Sequence, residues 1–134
     1  MVLKLFILVL LSFSGCSISD STDKSLGKDY ILFGDPLFLN MDTVHYLYGT
    51  SAIDGIAVYK SKDMLFWSCP CGVINRLALH KDDVWGKRIF RAPEVHNLRG
   101  KFYMYFSAEV HICIAVSNSP SGPFMQEIKK PMIE

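Results

Sequence analysis

The side chains able to do chemistry are few, and most of them flank a proline or a short polar loop. Asp35 stands directly before Pro36, Glu94 directly after Pro93, and Glu109 is separated from His111 by one residue. A carboxylate can act as a general acid or base, and so can an imidazole. In an extended chain residues two apart share a face, so Glu109 and His111 project to the same side. Each of these groups also has a plain structural role. Asp before Pro initiates turns, an acid entering a strand satisfies backbone amides, and a His at a strand start serves as a hydrogen-bonded framework residue. Trp67 and Trp85 offer flat apolar faces of the kind that stack on sugar rings. Trp85 lies in the polar loop 82–87 and is the better placed of the two, because Trp67 falls where a strand unit ends and reads as core. Cys69-Pro70-Cys71 is too tightly spaced for a zinc pair, which also needs two further ligands nearby. It reads as small residues at a strand end and turn. No Cys and His set, Gly-rich phosphate loop or nucleophile elbow occurs past the leader. No metal and no cofactor are therefore expected.

The elements that must position these groups are strands. Short runs of period-two or continuous apolar character, separated by Gly, Pro, Asn, Asp and Ser, predict strands at 36–40, 44–50, 56–60, 65–68, 93–97, 101–107, 112–117 and 124–127. No segment carries an amphipathic helical period. Sliding the chain by 57 residues superposes Pro36 on Pro93, Asn40 on Asn97, Tyr46 on Tyr103 and Tyr48 on Tyr105. At an offset of 58, Ile56-Ala57-Val58 meets Ile114-Ala115-Val116 and Ser61 meets Ser119. The matches keep strand parity, so they describe a repeated unit of four strands, and tandem four-stranded units are propeller blades. Two such units do not close a ring. The chain reads as a fragment of a longer protein or as a module that assembles with other chains.

Composition sets the partners. With 14 basic against 13 acidic residues and a net charge of +1, no polyanion is attracted, which excludes nucleic acid. The 13% aromatic content suits strands and sugar-stacking surfaces. At the N-terminus, Met1 to Lys4 precedes an apolar run, Leu5-Phe6-Ile7-Leu8-Val9-Leu10-Leu11, too short to span a bilayer. Residues 1–15 read as a signal peptide. Ser14-Gly15-Cys16 resembles a bacterial lipobox, making Cys16 a lipid anchor, although Phe13 replaces the usual Leu and leaves ordinary secretory cleavage open. Residues 16–29 form a polar tether. The protein is expected outside the cytoplasm, touching a membrane only through its anchor. If Cys16 is lipidated, Cys69, Cys71 and Cys113 leave at least one thiol unpaired.

An ordered set of segments carries more information than any member alone. It comprises Gly34-Asp35-Pro36-Leu37-Phe38, Tyr46-Leu47-Tyr48-Gly49-Thr50-Ser51, the run from Val58 to Trp67, Ala92-Pro93-Glu94-Val95, Gly100-Lys101-Phe102-Tyr103, and His111-Ile112-Cys113-Ile114-Ala115 leading to Ser119-Pro120-Ser121-Gly122-Pro123-Phe124. Together they resemble family 43 glycoside hydrolases, over residues 30–134. The resemblance implies an all-β, five-bladed propeller, of which residues 30–75 and 88–134 supply about two four-stranded blades in an incomplete ring. It also implies inverting hydrolysis of arabinose- or xylose-containing polysaccharides at the central funnel. Fructan-cleaving propellers place an Asn before Asp-Pro, where this chain has Gly34.

Under that resemblance Asp35 matches the family's general base. An inverting glycosidase pairs such a base with a carboxylic acid that protonates the leaving oxygen. The acid and a third carboxylate are expected in later blades, beyond Glu134, so the chain by itself is expected to be inactive. Glu94 matches the family's Ala-Pro-acid-Val element and is expected to line the funnel. Arg91 stands where many relatives carry Trp. Glu109 and His111 match a Glu-x-His-Ile-Cys segment of some members and, with Trp85, complete the expected substrate-binding set. The alternative reading is a non-catalytic carbohydrate-binding or assembly module.

Overall fold

Strand residues 101–108 show most plainly why the chain folds as it does. Phe102, Met104, Phe106 and Ala108 are buried, while Lys101, Tyr103, Tyr105 and Ser107 point to the other face. That period of two is the signature of a strand with one face on a core. The computed structural model describes residues 31–133, so the leader 1–15, Cys16 and the tether 16–29 lie outside the described residues. Seven strands form in chain order: β1 (Gly34–Met41), β2 (Val44–Thr50), β3 (Gly55–Ser61), β4 (Leu77–His80), β5 (Arg91–Leu98), β6 (Lys101–Ala108) and β7 (His111–Ser117). They make two antiparallel meanders, β1-β2-β3-β4 and β5-β6-β7, with no helix among the described residues. These are the expected propeller blades, and the ring is not closed.

Six predicted strands stand within two residues of their expected limits. The fourth does not. The segment expected at 65–68 is a turn, because the Asp63 carboxylate accepts the amides of Leu65 and Phe66, both at 2.9 Å. Amides used in this way cannot join a ladder, and Leu65 and Phe66 remain 78% and 76% exposed. The outer strand is instead β4, whose Leu77, Ala78 and Leu79 are all buried. The first sheet thus runs on to His80, past the expected blade limit at residue 75. In the second sheet the segment expected at 124–127 contributes a single bridge, Met125 to Val116. Its neighbouring amides turn away from the second sheet, with Phe124 N–H donating to Ala78 of β4 at 2.8 Å and Gln126 N–H to Asp83 in the loop after β4 at 3.0 Å.

The 57-residue repeat is visible in the backbone. In β1 the register slips between Gly34 and Leu37, and in β5 between Arg91 and Glu94. In each case two residues oppose one on the partner strand, which is a β-bulge. Pro36 and Pro93, having no N–H to donate, fall inside these bulges. The residue before each proline, Asp35 or Ala92, has φ 49°.

One core serves both sheets. Tyr48, Ile56, Val58 and Leu79 from the first meet Phe102, Met104, Phe106 and Cys113 from the second, with Phe90 from the loop before β5 and Phe124 from the segment after β7. Phe124 is fully buried, meeting Tyr48 edge-on at 6.5 Å, while the Tyr48 hydroxyl donates to the Pro120 carbonyl at 2.5 Å. Burial raises the Tyr48 phenol far above its ordinary range, so it stays protonated and remains a donor.

Candidate active site at the strand-start end of the blades

Two contacts fix how the inner strands sit together. Near their starts, Thr50 Oγ1 accepts the Ala92 N–H at 3.1 Å while donating to Asp35. Near their ends, Asn97 Nδ2 donates to Met41 Sδ at 3.8 Å. Strands β1 and β5 therefore run in the same direction, with both bulges at one end. Because Arg91 pairs with Ser107 and Ala108 with His111, the β6–β7 turn also lies at that end.

Asp35 occupies the left-handed region on its bulge. Asp tolerates that conformation better than most residues, and a bulge re-aims the side chain it carries. The carboxylate is exposed, and its Oδ2 accepts from Thr50 Oγ1 at 2.9 Å. Among the described residues Thr50 is its hydrogen-bond partner. By register the counterpart of Asp35 in the second sheet is Ala92, and that of Glu94 is Leu37. Glu94 is exposed two residues further along, with Oε1 at 3.1 Å from His96 Nε2. The His96 ring in turn stands edge-on to Tyr105 at 6.1 Å. Glu94 is thus held by a neighbour on its own strand face and makes no hydrogen bond with Asp35.

Trp85, Glu109 and His111 come together at the β6–β7 turn. The turn residues Glu109 and Val110 both have positive φ, 47° and 68°. That is the primed geometry that twists with the strands, and it usually selects Asn-Gly. Here the loop before β5 holds the turn in place. Glu109 N–H donates to the Arg88 carbonyl at 3.2 Å, and its Oε1 accepts the Lys87 N–H at 3.0 Å. His111 Nδ1 lies 3.0 Å from the Glu109 carbonyl, and its ring meets Trp85 edge-on at 5.0 Å. Trp85 is half-buried against the core, with its backbone N–H donating to Gln126 Oε1 at 2.7 Å. Gly86 has φ 88°, and a Cβ there would lie 2.8 Å from the Ala108 Cβ, so loop and turn interlock. One oxygen of the Glu109 carboxylate thus accepts a backbone amide, which is a structural use.

Two residues of this end escaped the sequence reading. His96 had a signal, since it follows Glu94 by two positions on one strand. Thr50 had none, because its partners lie 15 and 42 positions away. Of the cysteines, Cys71 and Cys113 carry free thiols. Burial pushes both thiols up, so they remain protonated. Cys71 Sγ lies 3.5 Å from the Val58 carbonyl, a packing contact of a strand edge. Among the described residues no group of three His, Cys, Asp or Glu side chains is arranged to hold a metal ion.

The sequence profile of glycosyl hydrolases family 43 matches residues 32–133. Among solved structures, an endo-1,4-β-xylanase from Bacteroides thetaiotaomicron superposes with a TM-score of 0.68 at 37% identity, covering 76% of this chain and 35% of that one. A thermostable family-43 glycoside hydrolase gives 0.63 at 39% identity, covering 76% of this chain and 34% of that one. An endo-arabinase from Bacteroides thetaiotaomicron gives 0.59 at 31% identity, covering 73% of this chain and 35% of that one. The chain thus spans about a third of the length of these structures. No curated protein matches it. A profile match over nearly all the described residues, on two bulged blades that superpose on known members, shows that the chain belongs to family 43 of the glycosyl hydrolases.

Proposed function

We propose that these blades supply the general base and part of the sugar site of an inverting glycoside hydrolase acting on arabinose- or xylose-containing polysaccharides. The observation that carries this reading is Asp35. Its carboxylate is exposed on a bulge, aimed by Thr50, and shares one end of the blades with Glu94, Trp85 and His111. The substrate class rests on the neighbours, which are described as a xylanase and an arabinase.

In the reaction, Asp35 takes a proton from the water that attacks the anomeric carbon, while a carboxylic acid protonates the departing oxygen. Inversion needs the two carboxyl groups about 6.5–9.5 Å apart, with the water between. Glu94 is tied to His96 and Glu109 to the Lys87 amide, so we assign neither the role of proton donor. The donor and the third carboxylate belong to other blades of the ring. Glu94 lines the funnel, and Trp85 and His111, packed edge-on, border the sugar site beside it.

The test is a titration of the chain with xylotriose and with arabinotriose, followed by amide chemical shifts. Shifts should concentrate at Asp35, Glu94, Trp85 and His111. Shifts confined to the opposite end, around the β5–β6 turn and Lys101, would reject this placement of the site.

A further inference from the structure

We infer that Thr50 is a positioning residue whose single hydroxyl both aims Asp35 and locks the start of the next blade to it. The inference rests on the reading of Asp35 as the base. A hydroxyl has one proton to give and lone pairs to receive. Thr50 uses both capacities across the blade boundary, giving its proton to Asp35 Oδ2 at 2.9 Å and receiving the Ala92 N–H at 3.1 Å.

The placement follows from the backbone. Thr50 is the last residue of β2, and it pairs with Gly34 at the point where the β1 register slips. Asp35 and Ala92, its two partners, are the left-handed residues of the two equivalent bulges. Asp35 has a polar side chain that suits that region, but Ala92 has nothing of its own to hold it there. The Thr50 oxygen supplies what Ala92 lacks. A shift of the second blade relative to the first therefore moves the hydroxyl, and with it the carboxylate. Blade docking and the aim of the base become one event, so Asp35 is fully oriented only when β5 is seated. Val at this position keeps the β-branched shape and loses both hydrogen bonds, whereas Ser keeps the hydroxyl.

The experiment compares the chain with Thr50→Val, Thr50→Ser and Asp35→Ala, using two readouts independent of turnover. Hydrogen exchange at the Ala92 amide should rise about fivefold to tenfold in Thr50→Val, the loss expected for one hydrogen bond. It should stay near the parent rate in Thr50→Ser and in Asp35→Ala. The Hα–Hβ couplings of Asp35 should report one rotamer in the parent and in Thr50→Ser, and rotamer averaging in Thr50→Val. Both probes unmoved in Thr50→Val, or only one of them moved, overturns the inference, because one hydroxyl is held to serve both groups. Loss of protection throughout the β6–β7 ladder in Thr50→Val overturns it as well, since Thr50 would then serve the fold as a whole. If Asp35 is not the base, both probes still move as stated, while Asp35→Asn leaves a ring-complete enzyme active. The two failures are therefore distinguishable.

Discussion

Replacing Phe124 by Ala removes the side chain that closes the two sheets over one another. Phe124 is fully exposed to neither solvent nor sheet edge: its ring has no accessible surface and stands edge-on to Tyr48, 6.5 Å away. Its own N–H reaches the first sheet at Ala78, so the backbone around it is anchored and cannot easily collapse into the space left. A buried Phe→Ala change of this kind costs about 3–5 kcal/mol, of which the edge-on pair supplies roughly 0.5–1.5 kcal/mol. Urea unfolding followed by tyrosine fluorescence and by far-ultraviolet dichroism should show the midpoint falling by about 2 M, at a slope near 2 kcal/mol/M. A double-mutant cycle with Tyr48→Leu should return a coupling of about 0.5–1.5 kcal/mol. A cost below about 1 kcal/mol with no coupling, or loss of the second sheet's signal alone, would refute the shared core.

Three further outcomes follow from the same structure. Gly49→Ala would place a Cβ 2.0 Å from the Phe33 ring, which stacks on Tyr59 at 5.9 Å, so it should cost about 1–3 kcal/mol in urea unfolding and disturb the Tyr59 signal. The amides of Phe66 and Leu65, followed by the Ser61 hydroxyl, hold the Asp63 carboxyl below its ordinary range. A group depressed on folding contributes stability that is present above its unfolded value of 3.8 and is lost as pH falls through the folded one. The protection of the Leu65 and Phe66 amides, taken relative to their intrinsic exchange rates at each pH, should therefore fall selectively as pH drops through the folded value, and an unchanged protection pattern would remove Asp63 as the organiser of the turn. Finally, with Glu94 held by His96 and Glu109 by the Lys87 amide, neither is assigned as proton donor, so residues 31–133 alone should lack general acid catalysis worth about 10²–10⁴-fold and should not hydrolyse arabinan, xylan or their aryl glycosides. Turnover that vanishes in Asp35→Asn would show that two blades hold a complete site.

Most of the architecture was legible because strand parity and the repeat reinforce each other. Tyr46 over Tyr103 and Tyr48 over Tyr105 mark the same strand in both sheets, and the Asp-Pro and Ala-Pro pairs mark the bulges. The outer strand was misplaced because Leu65-Phe66-Trp67 is the more hydrophobic run, yet two hydrogen bonds to Asp63 take its amides out of any ladder. The Leu77–His80 strand is equally short and takes its place through pairing with β3, which sequence spacing does not show. At the candidate site, local sequence singled out Asp35, Glu94, Glu109 and His111, and the structure places all four at one end of the blades. Local sequence did not reveal that Glu109 clamps a turn, that His96 holds Glu94, or that Thr50 joins two bulges. Each of those facts depends on which side chain faces which loop, and that is set by docking rather than by spacing.

The central claim is that Asp35 is the base of a family 43 site, and grafting tests it most directly. Residues 30–134 would replace the corresponding blades of a family 43 xylanase or arabinase, and the hybrid would be compared with its Asp35→Asn form on an aryl xyloside or arabinofuranoside. The account predicts a hybrid that turns over substrate, and an Asp35→Asn form with kcat lower by about 10²–10⁴-fold at similar KM. An Asp35→Asn hybrid that keeps its kcat would contradict it.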